Sequence, residues 1–553
     1  MAPLKRVAVI GAGPAGLSAV DQLAALCAPS VSLTLFERRS TFGGVWCYDA
    51  RPGECVVRYD SSGRAWPLWT GGRKDSDDAG RFRVPGAMYD GLRTNLPCDV
   101  MAYRSHPFEG GTALFPDRAT VEGYIQNFAE KVVQRAEGVD VRLGTAVRDV
   151  RRTAHDPAAA RESIGAGSVW SVTSVNVDSG ETKVESFDHV VLASGRCNTP
   201  TIPRIPGLHK FKGQILHSAW YRSPIPFEHK TVLVVGNSSS GSDIARELSG
   251  YILRTLPEGE AATKAFIKRC EGRTGRVLHS YEHFDKPPPL DFDPREEASP
   301  AWAKRIAVVP RITEVRADGS VVFEGGETRE DVDVLIFGTG YAYDFPYLDQ
   351  GLAPFVERPL IPLPPPSPTT HDDLGGMQPY TPPHRTAPLL TNLDDFSLFY
   401  APDASICVLG APIRIVPMPL THVQSRIVAA AWSGHLRPAP NSTALPRLDA
   451  SIPTTDPAKW TSRAATATAE DEGSKTSDLG YPSDSAYQDA LLDLLPADLS
   501  PKGDDEATTV PDQEGGKSEA PVPAQDEGWS RMPDFRNQRR QDTKRLRRLL
   551  LGY

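Results

Sequence analysis

No run of about 18 consecutive apolar residues occurs anywhere in the 553-residue sequence, so no membrane-spanning helix is expected. Basic residues are not in excess: 61 Lys and Arg stand against 70 Asp and Glu, a formal net charge of -9, which argues against a nucleic-acid backbone as partner. The seven cysteines, at positions 27, 47, 55, 98, 197, 270 and 407, are scattered, odd in number and form no C-x-x-C pair. They read as free thiols of a reducing compartment and not as a disulfide framework. His and Cys at metal-ligand spacing are also missing. The opening MAPLKRVAVI enters an apolar strand at once, without a signal core and cleavage site, so a cytoplasmic protein is expected.

What the sequence does have is two glycine-rich loops, each following an apolar strand. Val7-Ala8-Val9-Ile10 runs into Gly11-Ala12-Gly13-Pro14-Ala15-Gly16, a helix is expected over Leu17 to Leu26, and Val31 to Phe36 gives a second strand that ends at Glu37. Gly11 allows a tight turn out of the strand, Gly13 allows backbone to approach a pyrophosphate, and Gly16 lets the helix lie close to the sheet. Free N–H groups at the helix start stabilise phosphate charge. Glu37 follows Gly16 by 21 residues, where a carboxylate accepts hydrogen bonds from ribose hydroxyls and repels a 2′-phosphate; Arg38 stands beside it. This loop therefore suits FAD or NAD. Gly43-Gly44-Val45-Trp46 lies shortly downstream, a turn that would let Gly44, Val45 and Trp46 cover a flat ring.

The second loop, Gly236-Asn237-Ser238-Ser239-Ser240-Gly241, follows the strand Thr231 to Val235 and opens a helix expected over Gly241 to Leu248. Ser238 replaces the middle glycine, and small hydroxyl residues still allow close approach and donate to phosphate oxygens. The next strand, Val277 to Tyr281, carries no acid at its end. Ser280 lies there, with Arg273 and Arg276 upstream, so the pattern predicts NADPH, its 2′-phosphate near Arg276 and Ser280. Residues 251–275, between helix and strand, read as an insertion rich in Lys and Arg. Two further apolar strands end in glycine turns, His189 to Gly195 and Val332 to Gly340, as strands do that return to a dinucleotide-binding sheet. Residues 354–388, with Pro364-Pro365-Pro366 and Pro368, predict an extended loop. Residues 462–528 are rich in Ser, Thr, Ala, Asp, Glu, Gly and Pro, the composition of a partly disordered tail, with one short helix expected over Tyr487 to Leu495. Residues 536–551, RNQRRQDTKRLRRLLL, predict a basic helix that packs its leucines on the first domain.

Phe211-Lys212-Gly213-Gln214-Ile215-Leu216-His217-Ser218-Ala219-Trp220-Tyr221 resembles the F-x-G-x-x-x-H-x-x-x-[YF] fingerprint of the flavin-containing monooxygenases, through Phe211, Gly213, His217 and Tyr221. Leu92-Arg93-Thr94-Asn95-Leu96-Pro97 is similar to that family's stretch with an active-site asparagine, and Phe337-Gly338-Thr339-Gly340-Tyr341 to its late TGY turn, which adds Thr94, Asn95, Thr339 and Gly340 to the cofactor-binding set. The GNSSSG loop looks more like fungal and plant S-oxygenating members than mammalian ones. The resemblance implies an α/β fold of two Rossmann-like dinucleotide-binding domains, an FAD domain with an inserted NADPH domain; the 251–275 insertion, the proline-rich loop and the flexible C-terminal tail read from composition depart from the family. The boundaries expected are 1–207 and 344–460 for the FAD domain, 208–343 for the NADPH domain, 461–530 for low-complexity sequence and 531–553 for the basic helix. It also implies a mechanism: NADPH reduces FAD, O₂ adds to give a C4a-hydroperoxide shielded by retained NADP⁺, and a thiol, thioether or amine takes the distal oxygen. Asn95 is the polar group expected at the flavin edge, and His217 and Tyr221 are expected as interdomain contacts.

Two alternatives stay open on the sequence. An NADPH-dependent disulfide reductase also pairs FAD with NADPH, although Cys47 and Cys55, eight residues apart, are wrongly spaced for its motif. A non-catalytic flavin-binding interaction protein is the other. A homo-oligomer is compatible with the sequence.

Overall fold

The computed structural model describes residues 5–70, 85–153, 169–273, 275–289, 291–363, 374–394, 396–436, 483–503 and 527–553. Pro364 to Pro366, Pro368 and most of the 462–528 stretch lie outside the described residues.

Two five-stranded parallel sheets carry the chain. In the first, the strands run in the order Ile406–Val408, His189–Leu192, Lys5–Ile10, Val31–Phe36, Asp140–Arg142. In the second, the order is Gln214–His217, Val334–Phe337, Val232–Val235, Val277–Ser280, Ile306–Val309. Val232 to Val235 and Val334 to Phe337 are buried at every position, which is why each reads as an uninterrupted apolar run and not as alternation. The strand entering each glycine loop lies beside the strand that returns to the sheet: Lys5–Ile10 pairs with His189–Leu192, and Val232–Val235 pairs with Val334–Phe337.

The second sheet is inserted into the first. The chain leaves through Thr199–Pro200 and comes back through Tyr341–Ala342, and these two short segments pair antiparallel. The Thr201 N–H donates to the Gly340 carbonyl at 3.0 Å, so the exit and return form one joint.

The helix after the first loop, Pro14–Cys27, has Pro14 in its first turn, where the missing N–H costs nothing. Leu17, Val20 and Leu23 pack with Val121, Ile125 and Phe128 of the Arg118–Arg135 helix and with Val423 and Ile427 of the Pro417–Trp432 helix. On the other face of that sheet lies an antiparallel layer, Thr145–Thr153, Val169–Asn176 and Thr182–Phe187. Its Val150, Trp170 and Phe187 meet Ile10 and Leu192. Residues 251–275 separate helix and strand and include a helix of their own, Glu260–Cys270, anchored by buried Phe266 and Cys270.

Late in the chain, Ser483–Leu492 is helical and docks through the Tyr487 hydroxyl, which donates to Phe396 O at 2.7 Å. Asp534–Leu551 is helical as well. Of its leucines, Leu546 is buried beside Leu114 and Phe115, whereas Leu549 and Leu550 are exposed. No helix among the described residues is long and apolar enough to cross a membrane.

Candidate dinucleotide sites

In the first loop, Gly11 has φ +105°, and a Cβ there would lie 2.5 Å from the Ala193 carbonyl oxygen at the end of the returning strand. Only glycine takes this turn without displacing that strand. Gly13 is the N-cap and supplies no side-chain cap, so the N–H groups of Ala15 and Gly16 are left for a ligand anion. The Gly44–Trp46 turn closes over the loop: the Gly43 N–H donates to Ala12 O at 3.1 Å, and a Cβ on Gly44 would come within 2.8 Å of Gly13 Cα. Val45 and Trp46 continue this turn, half-buried. Glu37 is buried at the strand end. Its carboxylate accepts the N–H groups of Ala12 and Arg39, each at 2.8 Å, which ties the strand end to the loop. Arg38 is half-buried next to it.

The second loop repeats the first turn. Gly236 has φ +97°, and a Cβ there would lie 2.8 Å from Gly338 O on the returning strand. His279, pushed down to about 4 by burial and so neutral, donates from Nε2 to Gly236 O at 3.0 Å. Ser238 caps the Ser239–Leu248 helix with its backbone only, Ser238 and Ser239 are exposed, and Ser240 is half-buried.

That helix presents one polar stripe at i, i+4 and i+8, and each member meets the segment that contains Asn95 or the fingerprint. Asn95 Nδ2 donates to Ser239 Oγ at 3.1 Å. The Tyr89 hydroxyl donates to Asp243. The Tyr221 hydroxyl donates to Glu247 Oε2 at 2.7 Å, and Glu247 packs so closely on Gly91 that any side chain there would overlap its carboxylate. Burial pushes Glu247 up to about 7, although the Tyr221 hydrogen bond and the Arg246 guanidinium both favour its ionised form. Thr94 is buried, and its hydroxyl oxygen has no hydrogen-bond partner among the described residues. A few residues on, the Tyr103 hydroxyl donates to Pro14 O at 3.0 Å, at the start of the first loop helix. One segment therefore reaches from one phosphate loop to the other.

His217 is held on both nitrogens. Nδ1 accepts from the Ala219 N–H at 3.2 Å and Nε2 donates to Gly340 O at 3.0 Å. Burial pushes it down to about 3, so it is a neutral strut between the fingerprint and the returning crossover. Gly213 is pressed against Asp333, and Phe211 is half-buried on the neighbouring core. The Thr339 hydroxyl donates to Thr201 O, so Thr339 and Gly340 both belong to the crossover joint.

Two expected ligands are not brought to the second loop. Arg276 precedes the Val277–Ser280 strand, opposite the end that faces the loop, and its guanidinium donates to Thr231 Oγ1 at 3.0 Å. Ser280 is at the correct end, but it is buried and its hydroxyl donates to Pro310 O at 2.8 Å. Tyr89, Asp243 and Glu247 escaped the sequence reading, as did Arg222. The buried Arg222 guanidinium joins Asp49 O (2.6 Å), Ala219 O (2.8 Å), Tyr221 O (2.6 Å) and Gly86 O (3.0 Å). The spacing of four from Ser239 to Glu247 was the available signal. Cys47 and Cys55 are free thiols that burial pushes up to about 11 and about 12, the opposite of what a reactive thiolate needs. No cluster of potential metal ligands occurs among the described residues.

These cradles fit two dinucleotides: each first glycine is filled by backbone, each loop helix begins with uncapped N–H groups, and a hydroxyl unpartnered among the described residues lies between them. Comparison with known proteins agrees. The model of a flavin-binding monooxygenase-like family matches residues 67–256 and 299–361, and that of an NAD(P)-binding Rossmann-like domain matches residues 9–73. The chain is 30% identical over 443 residues to flavin-containing monooxygenase FMO GS-OX-like 4 of Arabidopsis thaliana, covering 78% of this chain and 76% of that protein. It is 29% identical over 355 residues to trimethylamine monooxygenase of Roseovarius sp. (strain 217), covering 63% of each. The solved S-allyl-L-cysteine S-oxygenase of Allium sativum superposes with a TM-score of 0.61 at 22% identity, over 99% of this chain and 94% of that one, a likeness of fold.

Proposed function

Because the chain belongs to the flavin-binding monooxygenase-like family, we propose that it moves hydride from NADPH to FAD and, with O₂, oxygenates a soft sulfur or nitrogen centre of a small molecule. It is an oxidoreductase with FAD and NADPH as cofactors. Residues 1–207 and 344–460 form the FAD domain, 208–343 the NADPH domain, and the site of action is the cytoplasm. The observation that carries the reading is the Tyr89–Tyr103 segment, which touches both loop helices, through Asn95 on Ser239 and Tyr103 on Pro14.

When bound, the flavin supplies hydride acceptance and oxygen activation. The protein orients and encloses. Gly13, Ala15 and Gly16 offer N–H groups, Gly11 and Pro14 allow close backbone approach to the FAD pyrophosphate, Glu37 faces the ribose with Arg38 alongside, and Gly44, Val45 and Trp46 keep water off the ring. Gly236, Ser238, Ser239, Ser240 and Gly241 hold the NADPH pyrophosphate. Asn95 can donate and accept at once, so it orients the reacting groups, and Thr94 supplies a hydroxyl that no described residue pairs with. Phe211, Gly213, His217, Tyr221, Thr339 and Gly340 set the angle between the domains.

The test is NADPH-driven O₂ uptake by the yellow purified protein against a panel of thiols, thioethers and amines. We expect oxygenated product in proportion to NADPH consumed for at least one class. NADPH oxidation that yields only stoichiometric hydrogen peroxide with every compound would overturn the reading.

A further inference from the structure

The Asp534–Leu551 helix is held to the protein mainly by its arginines. Buried arginines are costly unless their donors are matched, and three of these, Arg536, Arg539 and Arg547, are 3% exposed or less at the side chain. Of their buried donors, Arg547 Nε alone finds no partner among the described residues. Near the helix start, Arg536 donates to Val100 O at 2.5 Å, Ala102 O at 3.0 Å and Glu527 Oε1 at 2.7 Å, and Arg539 donates to Asp99 Oδ2 at 2.9 Å. These partners lie just beyond Asn95, on the side of the first loop. A helix of this length runs roughly 27 Å, and its other end reaches the second loop helix. There Arg547 donates to Asp291 Oδ1 at 3.0 Å, and Asp291 Oδ2 accepts from Arg246 at 3.2 Å. Arg246 belongs to the Ser239–Leu248 helix and also pairs with Asp243 at 2.7 Å, a member of the polar stripe. Gly552, at φ +75°, turns the chain back, and the Tyr251 hydroxyl donates to Leu551 O at 2.8 Å. Tyr553, 1% exposed, lays its ring against both cations: 3.5 Å from its centroid to the Arg246 guanidinium carbon and 4.8 Å to that of Arg547.

We propose that Tyr553 is a positioning residue for nicotinamide dinucleotide binding: its ring, between Arg246 and Arg547, fixes the helix behind the second phosphate loop to a strap anchored beside the first. The inference rests on the reading of Gly236–Gly241 as the NADPH loop. The strap sets where that helix sits relative to Asn95.

The experiment is titration of the full-length, FAD-loaded protein with NADP⁺, together with its FAD content. Tyr553→Ala should raise the NADP⁺ Kd roughly tenfold, within the range of a desolvated cation–π pair, with FAD content unchanged. Tyr553→Phe, which keeps the ring faces, should bind NADP⁺ within about twofold of wild type. A wild-type Kd in Tyr553→Ala overturns the proposal, as does a Phe variant as weak as the Ala variant. Should Tyr553→Ala not fold, Arg547→Gln is read by the same titration: a raised Kd supports the strap and an unchanged one overturns it. Wild-type protein that binds no NADP⁺ removes the loop reading and the strap together; wild-type binding with an unaffected Ala variant removes the strap alone.

Discussion

The two phosphate loops are built alike at their ends and differently in the middle. At Gly16 a side chain would overlap the Gly11 carbonyl oxygen, and at Gly241 it would overlap that of Gly236. Both helices are thus seated directly on the strand they follow. The middle positions diverge because of what lies over them. Gly13 is roofed by Gly44, and a Cβ there would lie a tight 3.2 Å from Gly44 Cα. Ser238 and Ser239 are exposed, and a serine suffices. The next strand ends diverge too. Ile10 is in register with Phe36, followed by buried Glu37; Val235 is in register with Ser280, followed by buried Tyr281. The roofed loop with a fixed acid suits a cofactor that stays. The open loop suits one that binds and leaves on each turnover.

The largest effect should come from filling the seat under each helix in turn. Gly16→Val should give colourless protein, because the overlap is with backbone and the helix must move. Gly241→Val should leave the protein yellow and weaken NADP⁺ about a hundredfold or more, since overpacking against backbone costs about 3 kcal/mol. Absorbance of the purified variants and NADP⁺ titration check both; loss of FAD from Gly241→Val would erase the distinction between the loops. Next comes the residue between them. Asn95→Ala should retain FAD yet lose product at least about tenfold, with hydrogen peroxide released instead, as the loss of one preorganised polar contact does. Product analysis decides it, and full coupling in this variant would remove Asn95 from the site.

The Glu247 joint has a pH signature. Its folded value, about 7, lies above the ordinary 4.5, so the folded protein holds the proton more tightly. Wild type is therefore penalised progressively as pH rises from 4.5 through 7, by about 3 kcal/mol at most. Glu247→Gln mimics the protonated side chain and can still accept from Tyr221. It should be more stable than wild type at pH 8 and equal to it near pH 4.5, by denaturant unfolding at the two pH values. A pH-independent difference would mean that Glu247 does not carry that proton.

Both loops, their strands and helices, and the crossover glycines were legible because backbone demands select residue types locally: Gly11 and Gly236 read the same way in sequence and in space. The polar stripe was only half legible. Ser239, Asp243 and Glu247 have the spacing of one helix face, but nothing local says that Asn95, Tyr89 and Tyr221 come to meet it from elsewhere in the chain. The strap was half read: Leu546 is buried as a leucine face requires, but partners distant in sequence, Asp99 and Asp291, bury arginines beside it. Long-range charge pairing leaves no periodic mark.

The smallest effect concerns Arg276, where proximity in sequence is misleading. Arg276 precedes Ser280 by four residues, and in an extended strand that is about 13 Å. Strand polarity makes the distance decisive: in a parallel sheet all the loops that face the ligand emerge from the same ends, and Val232 is in register with Val277 while the loop begins beyond Val235. Arg276 thus sits at the floor of the sheet, with its guanidinium on Thr231. Arg276→Ala should leave the ratio of NADPH to NADH kcat/KM within about twofold of wild type, as for a surface side chain remote from the ligand. Ser280→Ala should behave alike in that ratio and cost about 1 kcal/mol of stability through its lost hydrogen bond to Pro310. A collapse of the NADPH preference in Arg276→Ala would require the dinucleotide to reach past the strand ends, and would count against the shared geometry of the two loops.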